Sequence, residues 1–261
     1  MDKLVIKHNA GFFSCCTVRL LEILNFFNKN KKLPIIVDSS IQFDFYKSIP
    51  IDLSKFYFKE IIKNIEYNSE IKLSKTDYEE QFSDYKLLNI SDVNIFIEKY
   101  FSLSDEVNNI VLELEQKYNL DYKNIIAVCY RGNDKHTETM IGSYDEYLNK
   151  TVECLNINPD KKIIIQTDDQ HFLIHCQDRI DNNKLIVFNE IPRINPDPNS
   201  VVHNHIKLED RQMFGAYYLA IIKIISKCNT IITHSGNGGM WSVLFRGNTN
   251  NVHQYLNSNW L

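Results

Sequence analysis

Short apolar runs alternate with helical patterns along residues 121–247, and this alternation limits the folds open to the chain. The runs are rich in β-branched residues, which is typical of strands buried on both faces of a parallel sheet. We predict strands at 125–130, 162–166, 185–188 and 229–233, a helix that begins at Ser143, and further helices near 170–178, 208–227 and 239–246. This order predicts an α/β fold with a doubly wound parallel sheet.

The first 120 residues predict a second unit of the same class. A strand, a turn, a helix and another strand are followed by a less regular segment and two helices, which we place at 4–7, 14–28, 33–38, 91–100 and 104–118. Ser104 is suited to cap the last of these helices. A boundary near residue 120 divides the chain into an amino-terminal domain (1–120), a carboxyl-terminal domain (121–247) and a tail (248–261), with a cleft between the domains.

The composition argues against several classes of protein. The 261 residues suffice for one large domain or two modest ones. A formal net charge of −4, with both signs scattered along the chain, offers no basic surface for nucleic acid. No apolar stretch is long enough to cross a bilayer, so we expect no integral membrane segment. The six cysteines form no C-x-x-C pair, which favours reduced, buried thiols in a cytosolic protein. The histidines lack complete zinc-ligand spacing, so we expect no metal site.

A charged cluster follows the first strand of the carboxyl-terminal domain. Arg131, Asp134, Lys135 and Glu138 come directly after the apolar run 125–130. They would leave the strand at its carboxyl end, where open α/β sheets bind their ligands. An arginine fork suits phosphate oxygens, and a nearby glutamate can take a proton. The alternative is a solvated loop between a strand and a helix, because such loops are often charged.

Two further strand ends carry polar residues that suit a ligand. Asp168 and Asp169 follow the strand 162–166. Asp168 is the better candidate for a ribose or base, whereas Asp169 could instead cap a helix. The strand 229–233 leads into Ser235-Gly236-Asn237-Gly238-Gly239 and then a helix. Glycines before a helix amino terminus suit a diphosphate, and they can also simply make a tight turn.

These strand ends predict one shared site. The turn with Asn9 and Gly11 follows the first predicted strand of the chain and would face the same edge as a ligand cleft. We therefore expect Arg131, Asp168 and Ser235, which are distant in sequence, to line a single anion-binding pocket at one edge of a sheet.

The three strand ends together resemble the motifs of the fucosyltransferase superfamily, which includes the α1,6-fucosyltransferases, the nodulation fucosyltransferases and, more distantly, the protein O-fucosyltransferases. The segment 131–138 resembles the family motif R-R-x-D-K-x-x-T-E. The segment 165–169 is similar to a strand that ends in A-T-D-D, and the segment 233–237 is similar to T-F-S-S-Q. The order and the separations also agree over about residues 101–247.

The resemblance implies a GT-B architecture, with two Rossmann-like domains and parallel sheets, and an inverting sugar transfer without a metal or other cofactor. We expect residues 1–120 to form the acceptor side and residues 121–247 to bind the nucleotide sugar. By matching positions, Arg131 would hold the β-phosphate of a nucleotide-sugar donor, and Glu138 would deprotonate the acceptor hydroxyl. Ser235 and the amide groups of Gly236 and Asn237 would bind phosphate. The other residues that we assign to donor binding are Asn9, Gly11, Asp134, Lys135, Asp168, Asp169 and His234, of which Asp134 and Lys135 would order the loop.

Three positions depart from the family pattern. Gly132 replaces the second arginine, one residue is missing between Lys135 and Glu138, and Cys129 stands where a histidine commonly helps to read guanine. The leading hypothesis is transfer of L-fucose from GDP-fucose to a glycan hydroxyl. The same fold with a UDP- or dTDP-sugar donor, and a non-catalytic nucleotide-binding α/β module, are the alternatives. We expect a protein of the cytoplasm, either free or bound peripherally to a membrane.

Overall fold

The computed structural model of the protein describes residues 3–76, 79–197 and 202–261. Its α-helices are α1 (Phe12–Asn30), α2 (Ser54–Tyr57), α3 (Ile90–Tyr100), α4 (Asp105–Tyr118), α5 (Tyr144–Ile157), α6 (Gln170–Gln177), α7 (Arg211–Lys227) and α8 (Asn237–Arg246). Its strands are β1 (Lys3–Val5), β2 (Ile36–Asp38), β3 (Phe58–Lys59), β4 (Ser102–Leu103), β5 (Ile125–Tyr130), β6 (Lys162–Thr167), β7 (Leu185–Ile186), β8 (Thr230–His234), β9 (Val252–Leu256) and β10 (Asn259–Trp260). Short 3-10 helices lie at Asp44–Tyr46, Glu80–Phe82, Tyr85–Leu87, Tyr122–Asn124, Asn133–Thr137, Asn182–Lys184, Val202–His205 and Leu208–Asp210.

The main sheet has six strands in the order β10-β9-β8-β5-β6-β7. All neighbours pair in parallel except β10 and β9. Every residue of β5 is buried. Its alternate side chains enter different hydrophobic clusters on the two faces, with Ala127 on one side and Val128 on the other. The prediction of a mostly parallel sheet with strands buried on both faces is therefore confirmed for the carboxyl-terminal part.

Side-chain caps define the starts of two predicted helices. The Ser104 side chain accepts a hydrogen bond from the Val107 amide at the start of α4. Ser143 and Glu146 form the reciprocal capping box that the sequence predicts for α5. Two other boundaries differ from the prediction. Strand β7 has two residues rather than four, and 208–210 form a 3-10 helix before α7 begins.

The amino-terminal part contains less sheet than a full Rossmann-like unit. Its described strands form a two-stranded parallel sheet of β1 and β2 and a two-stranded antiparallel sheet of β3 and β4. One hydrophobic cluster joins side chains of α1 and α3 to one face of the main sheet, with Leu20, Phe96 and Ala127 among its members. Because this core is continuous across residue 120, the division into two domains stays a prediction.

The segment 248–261, predicted as a tail, extends the main sheet through β9 and β10. Gln254 on β9 is buried, and its amide group joins three parts of the chain. Its Nε2 donates to the Ser83 carbonyl (2.9 Å) and to Ser235 Oγ (2.9 Å), while its Oε1 accepts from the Tyr85 amide (2.9 Å). The carboxyl terminus therefore fixes the segment before α3 against the turn after β8.

The structure bears on the expectations for the cysteines, for membrane-spanning helices and for metal ligands. Each of the six cysteines is buried and free of disulfide bonds. Within the described ranges, no helix combines the length and apolar character needed to cross a bilayer. No group of three or more His, Cys, Asp or Glu side chains in the described part of the chain is arranged to hold a metal ion.

Candidate functional site

A cavity of about 620 Å³ opens where β5, β6 and β8 end. We call it the sheet-edge cavity. Nine of the predicted site residues line it: Asn9, Gly11, Arg131, Asp134, Lys135, Glu138, Asp168, His234 and Asn237. The carboxyl ends of parallel strands meet at one edge of a sheet, so residues separated by about a hundred positions in sequence become neighbours.

Arg131 follows β5 directly and is held by two carboxylates. Its Nη2 donates to Asp134 Oδ1 at 2.8 Å, and its Nε lies 2.8 Å from Asp168 Oδ2 as an ion pair that is not aligned as a hydrogen bond. Burial lowers the pKa of Arg131, but Asp168, Tyr218 and Asp134 together raise it above its ordinary value. The guanidinium group is permanently charged, and its Nη1 makes no hydrogen bond to either carboxylate.

Asp168 orders the loop that carries Arg131. Its Oδ1 accepts a hydrogen bond from the Gly132 amide at 2.9 Å, while its Oδ2 faces Arg131. Its backbone carbonyl accepts from the Asn133 side chain at 3.1 Å. Both carboxylate oxygens are thus engaged within the protein, and the predicted contact between Asp168 and the nucleotide stays a prediction.

Asp169 lies outside the sheet-edge cavity, contrary to its predicted role in donor binding. Its Oδ1 accepts from the amides of His171 and Phe172 at the start of α6, and its Oδ2 accepts from the Tyr144 hydroxyl at 2.6 Å. The side chain is 2% exposed. It is a helix cap, which is the alternative that the sequence left open. A Cβ atom on Gly132 would lie 2.6 Å from Asp169 Oδ2, so the loop after β5 has room only for glycine there.

Lys135 and Glu138 form an ion pair at the mouth of the cavity. Lys135 Nζ donates to Glu138 Oε2 at 2.6 Å and lies 4.7 Å from the centre of the Phe82 ring. The lysine is buried, whereas the Glu138 side chain is 45% exposed. Glu138 Oε1 accepts no hydrogen bond from the described residues, so one carboxylate oxygen is free to take a proton from a ligand.

His234 ends β8 and is a neutral side chain within the cavity. Its Nδ1 lies 3.3 Å from the Cys129 carbonyl, and because a carbonyl oxygen only accepts, Nδ1 carries the proton. Burial, with Lys135 and Arg131 nearby, lowers the pKa of His234 to about 3. The other ring nitrogen, Nε2, is therefore unprotonated and can accept a hydrogen bond, with the cations Lys135 and Arg131 nearby.

Ser235 and Gly236 do not face the cavity, which corrects their predicted phosphate contacts. Ser235 Oγ donates to the Tyr255 carbonyl at 2.7 Å and accepts from Gln254. The Gly236 amide donates to the Tyr85 hydroxyl at 3.0 Å. That hydroxyl in turn lies 3.0 Å from the Gly236 carbonyl. These groups tie the turn after β8 to the amino-terminal part instead of presenting donors to a ligand.

The amino end of α8 still lies at the cavity. Asn237 and Gly238 line it, and no side chain caps the helix. Unpaired amide groups at such a terminus favour an anion. The Asn237 side chain itself is occupied, because it accepts from Thr17 at 2.6 Å and donates to Gln81 at 2.8 Å. Gly239 serves packing, since a Cβ there would lie 2.5 Å from the His234 carbonyl.

An aromatic wall of the cavity was not predicted. It consists of Phe45, Tyr46, His203, Phe214 and Tyr218. The rings of Phe45 and His203 stack with centroids 5.1 Å apart, and those of Tyr46 and Phe214 stack at 6.3 Å. The i,i+4 spacing of Phe214 and Tyr218 on α7 was the only sequence signal for this wall.

The fold and the cavity define an α/β protein with a mostly parallel sheet and a polar site at the carboxyl edge of that sheet. No protein-family model matches the sequence, and no curated protein sequence matches it. Among solved structures, fucosyltransferase NodZ from Bradyrhizobium is similar over 88% of this chain and 87% of its own, with 12% identity and a TM-score of 0.52.

A second solved structure, NodZ α-1,6-fucosyltransferase soaked with GDP-fucose, aligns over 60% of this chain with 13% identity and a TM-score of 0.45. The aligned part is 47% of that protein, so the chain spans about half the length of this structure. The likeness to NodZ from Bradyrhizobium shows that the protein has a fucosyltransferase-like fold. The resemblance predicted from the three motifs is thus confirmed for the fold.

Proposed function

We propose that the protein is an inverting, metal-independent glycosyltransferase that moves L-fucose from GDP-fucose to a hydroxyl group of a glycan. The observation that carries this proposal is the placement of Arg131, Glu138 and the amino end of α8 around one cavity. The fucosyltransferase-like fold supports it. A structure of NodZ soaked with GDP-fucose indicates the class of donor to test first.

In the proposed reaction, Glu138 Oε1 takes the proton of the acceptor hydroxyl as its oxygen forms a bond to the anomeric carbon of the sugar. The bond from that carbon to the β-phosphate oxygen breaks on the opposite face, and the diphosphate leaves with the bonding electrons. Arg131 and the amide groups of α8 stabilise the charge that develops on the leaving oxygen. Attack from the face opposite the leaving group inverts the configuration of the anomeric carbon.

Diphosphate binding in this cavity must depend on the positions of the hydrogen-bond donors and not on the net charge of the lining side chains. The cavity is lined by two cations, Arg131 and Lys135, and by three carboxylates, Asp134, Glu138 and Asp168. A diphosphate therefore competes with carboxylates that already hold both cations. The cavity offers it the guanidinium group of Arg131 and the amino end of α8. We infer that residues 121–247 act as a Rossmann-like unit and residues 1–120 as a second α/β unit with less sheet, and that the two meet at this site in the cytoplasm.

The nucleobase of the donor is a separate question, because Cys129 stands where the family commonly has histidine. Burial raises the pKa of the Cys129 thiol to about 12, so it is a neutral and weak hydrogen-bonding group. A UDP- or dTDP-sugar is therefore the second candidate donor. Thermal unfolding with GDP, UDP and dTDP separates these, since a ligand at about 100 times its Kd stabilises by about 2.7 kcal/mol. We expect the largest shift with GDP, and a larger shift with UDP or dTDP would reassign the donor.

Transfer itself is tested with Glu138→Gln, which keeps the size of the side chain and removes its basicity. We expect GDP affinity to stay within about threefold of the wild type, and transfer from GDP-fucose to fall by about 10²–10⁴-fold. The wild-type protein is the matched control. Wild-type protein that binds nucleotide but neither transfers nor hydrolyses the donor would indicate a non-catalytic binding module. Full transfer by Glu138→Gln would remove this residue from the role of base.

A further inference from the structure

A second depression lies on the other side of the segment 133–138. It is an open groove of about 890 Å³, which we call the outer groove, and it is distinct from the sheet-edge cavity. Its lining residues come from the segment 136–146, from β9 and from the turn after β9, and they include His136, Thr137, Met140, Ser143, Tyr144 and Tyr255, with Tyr130 beneath them. Glu138 and Tyr130 line both spaces. Glu138 therefore stands where the two meet.

The walls of the outer groove are fixed by hydrogen bonds. The Tyr144 hydroxyl donates to Asp169 at 2.6 Å, and the Tyr255 hydroxyl donates to Glu146 Oε1 at 2.7 Å. Gly142 leaves space between rings, because a Cβ there would lie 3.0 Å from both Tyr147 and Tyr255. The groove is thus held open by side chains that are already satisfied, and its shape does not depend on a ligand.

The chemistry of the groove combines apolar and hydroxyl-bearing surfaces. Met140 is 67% exposed and contributes a thioether, while Thr137 and Ser143 contribute exposed hydroxyl groups. His136 presents an exposed imidazole whose Nδ1 lies 2.5 Å from the Asn133 carbonyl. Sugars match such a surface, because each ring has apolar C–H faces and a rim of hydroxyl groups. The uncharged character of most of these side chains argues against a second phosphate site.

We propose that the outer groove binds the glycan acceptor and delivers its reactive hydroxyl to Glu138. This inference rests on the proposed function and extends it. In an inverting transfer the nucleophile arrives on the face opposite the leaving diphosphate, so an acceptor that enters from a second space can reach the base without displacing the diphosphate. Glu138 lines both the outer groove and the sheet-edge cavity.

The position of the outer groove determines which part of the chain contacts the acceptor. The groove is built from residues after 120, so the acceptor contacts assigned here come from the same part of the chain as Arg131 and Glu138. The sequence alone had favoured residues 1–120 as the acceptor side. Among the described residues that line the two spaces, those from the amino-terminal part, such as Gln81 and Phe45, line the sheet-edge cavity.

Met140→Trp tests this proposal by filling the groove at an exposed position. Ile157→Trp is the matched control, because Ile157 is 75% exposed at the end of α5 and lines neither space. Each variant is assayed for GDP affinity by calorimetry and for transfer from GDP-fucose to a panel of cellotetraose, chitotetraose and N-acetyllactosamine.

We expect Met140→Trp to raise the acceptor KM at least tenfold with GDP affinity unchanged, and Ile157→Trp to stay within threefold of the wild type. An unchanged acceptor KM in Met140→Trp overturns the groove assignment and leaves the proposed function intact. Wild-type hydrolysis of GDP-fucose without transfer to any of the three glycans also overturns it. Absence of both GDP binding and donor hydrolysis in the wild type overturns the proposed function, and the groove assignment with it.

Discussion

Arg131→Lys asks whether the site needs a guanidinium fork or only a positive charge. Arg131 uses two different nitrogens at 2.8 Å, Nη2 toward Asp134 and Nε toward Asp168. A lysine ammonium is a single point charge on a flexible stem. It cannot lie 2.8 Å from both carboxylates and also reach a phosphate oxygen. The substitution keeps the formal charge of the side chain but removes its fork of nitrogen donors.

The size of the effect follows from the contacts that are lost. One hydrogen bond to a charged group contributes about 1.5–3 kcal/mol, which corresponds to roughly a 10–150-fold change in an equilibrium constant. A preorganised donor that stabilises developing charge in the transition state contributes about 10²–10³ in kcat. We therefore expect GDP to bind about tenfold more weakly to Arg131→Lys. The kcat for transfer should fall by about 10²–10³.

Calorimetric titration with GDP and a product assay with GDP-fucose measure the two quantities separately. Thermal unfolding of the same preparations controls for folding. A variant that loses kcat but keeps its melting temperature is changed at the site and not in its stability. The reasoning fails if Arg131→Lys keeps kcat within threefold of the wild type, since charge alone would then suffice. It also fails if Arg131→Ala binds GDP as well as the wild type does.

Three further predictions test how the site is built. Ser235→Ala should lower the free energy of unfolding by about 1–3 kcal/mol, because Gln254 loses a buried hydrogen-bond partner. The donor KM should stay unchanged, and a raised donor KM would restore the phosphate contact first predicted for Ser235. Gly132→Ala places a Cβ 2.6 Å from Asp169 Oδ2 and should lower the free energy of unfolding by about 1–3 kcal/mol through overpacking, as measured by urea unfolding. If the variant is as stable as the wild type, Asp169 can move to make room. The pKa of His234 lies at about 3, below the value near 6.5 expected in the unfolded chain, so the unfolded chain binds the extra proton between these values. The free energy of unfolding should accordingly fall as pH drops from about 7 toward 3 and should fall less in His234→Asn, and equal pH dependence in the two proteins would contradict this.

The sequence predicts the central part of the fold well because its signals are local. The buried run 125–130 cannot be solvated on either face, and Ser104 and Ser143 satisfy amide groups within three residues of themselves. Such features depend little on the rest of the chain. The gathering of Arg131 and Asp168 at one edge then follows from parallel pairing alone.

The predictions that differ from the structure concern side-chain direction and distant partners. Ser235 turns toward Tyr255, which lies twenty positions later on a strand that the sequence suggested as a tail. Asp169 caps α6, a role that its spacing permits but does not distinguish from ligand binding. Phe45 and His203 stack although more than 150 positions separate them, and no periodic pattern connects them. These features depend on tertiary packing, which propensity and spacing do not encode.

The amide group of Gln254 has a consequence for autonomous folding. A polypeptide that begins near residue 121 would keep β9 and the turn after β8 but would lack Ser83 and Tyr85, the partners of that buried amide and of the Gly236 amide. Each donor or acceptor left without a partner in the interior costs about 1–3 kcal/mol, a large share of the stability of a domain of this size. Fragments separated near residue 120 should therefore regain structure only by complementation with each other.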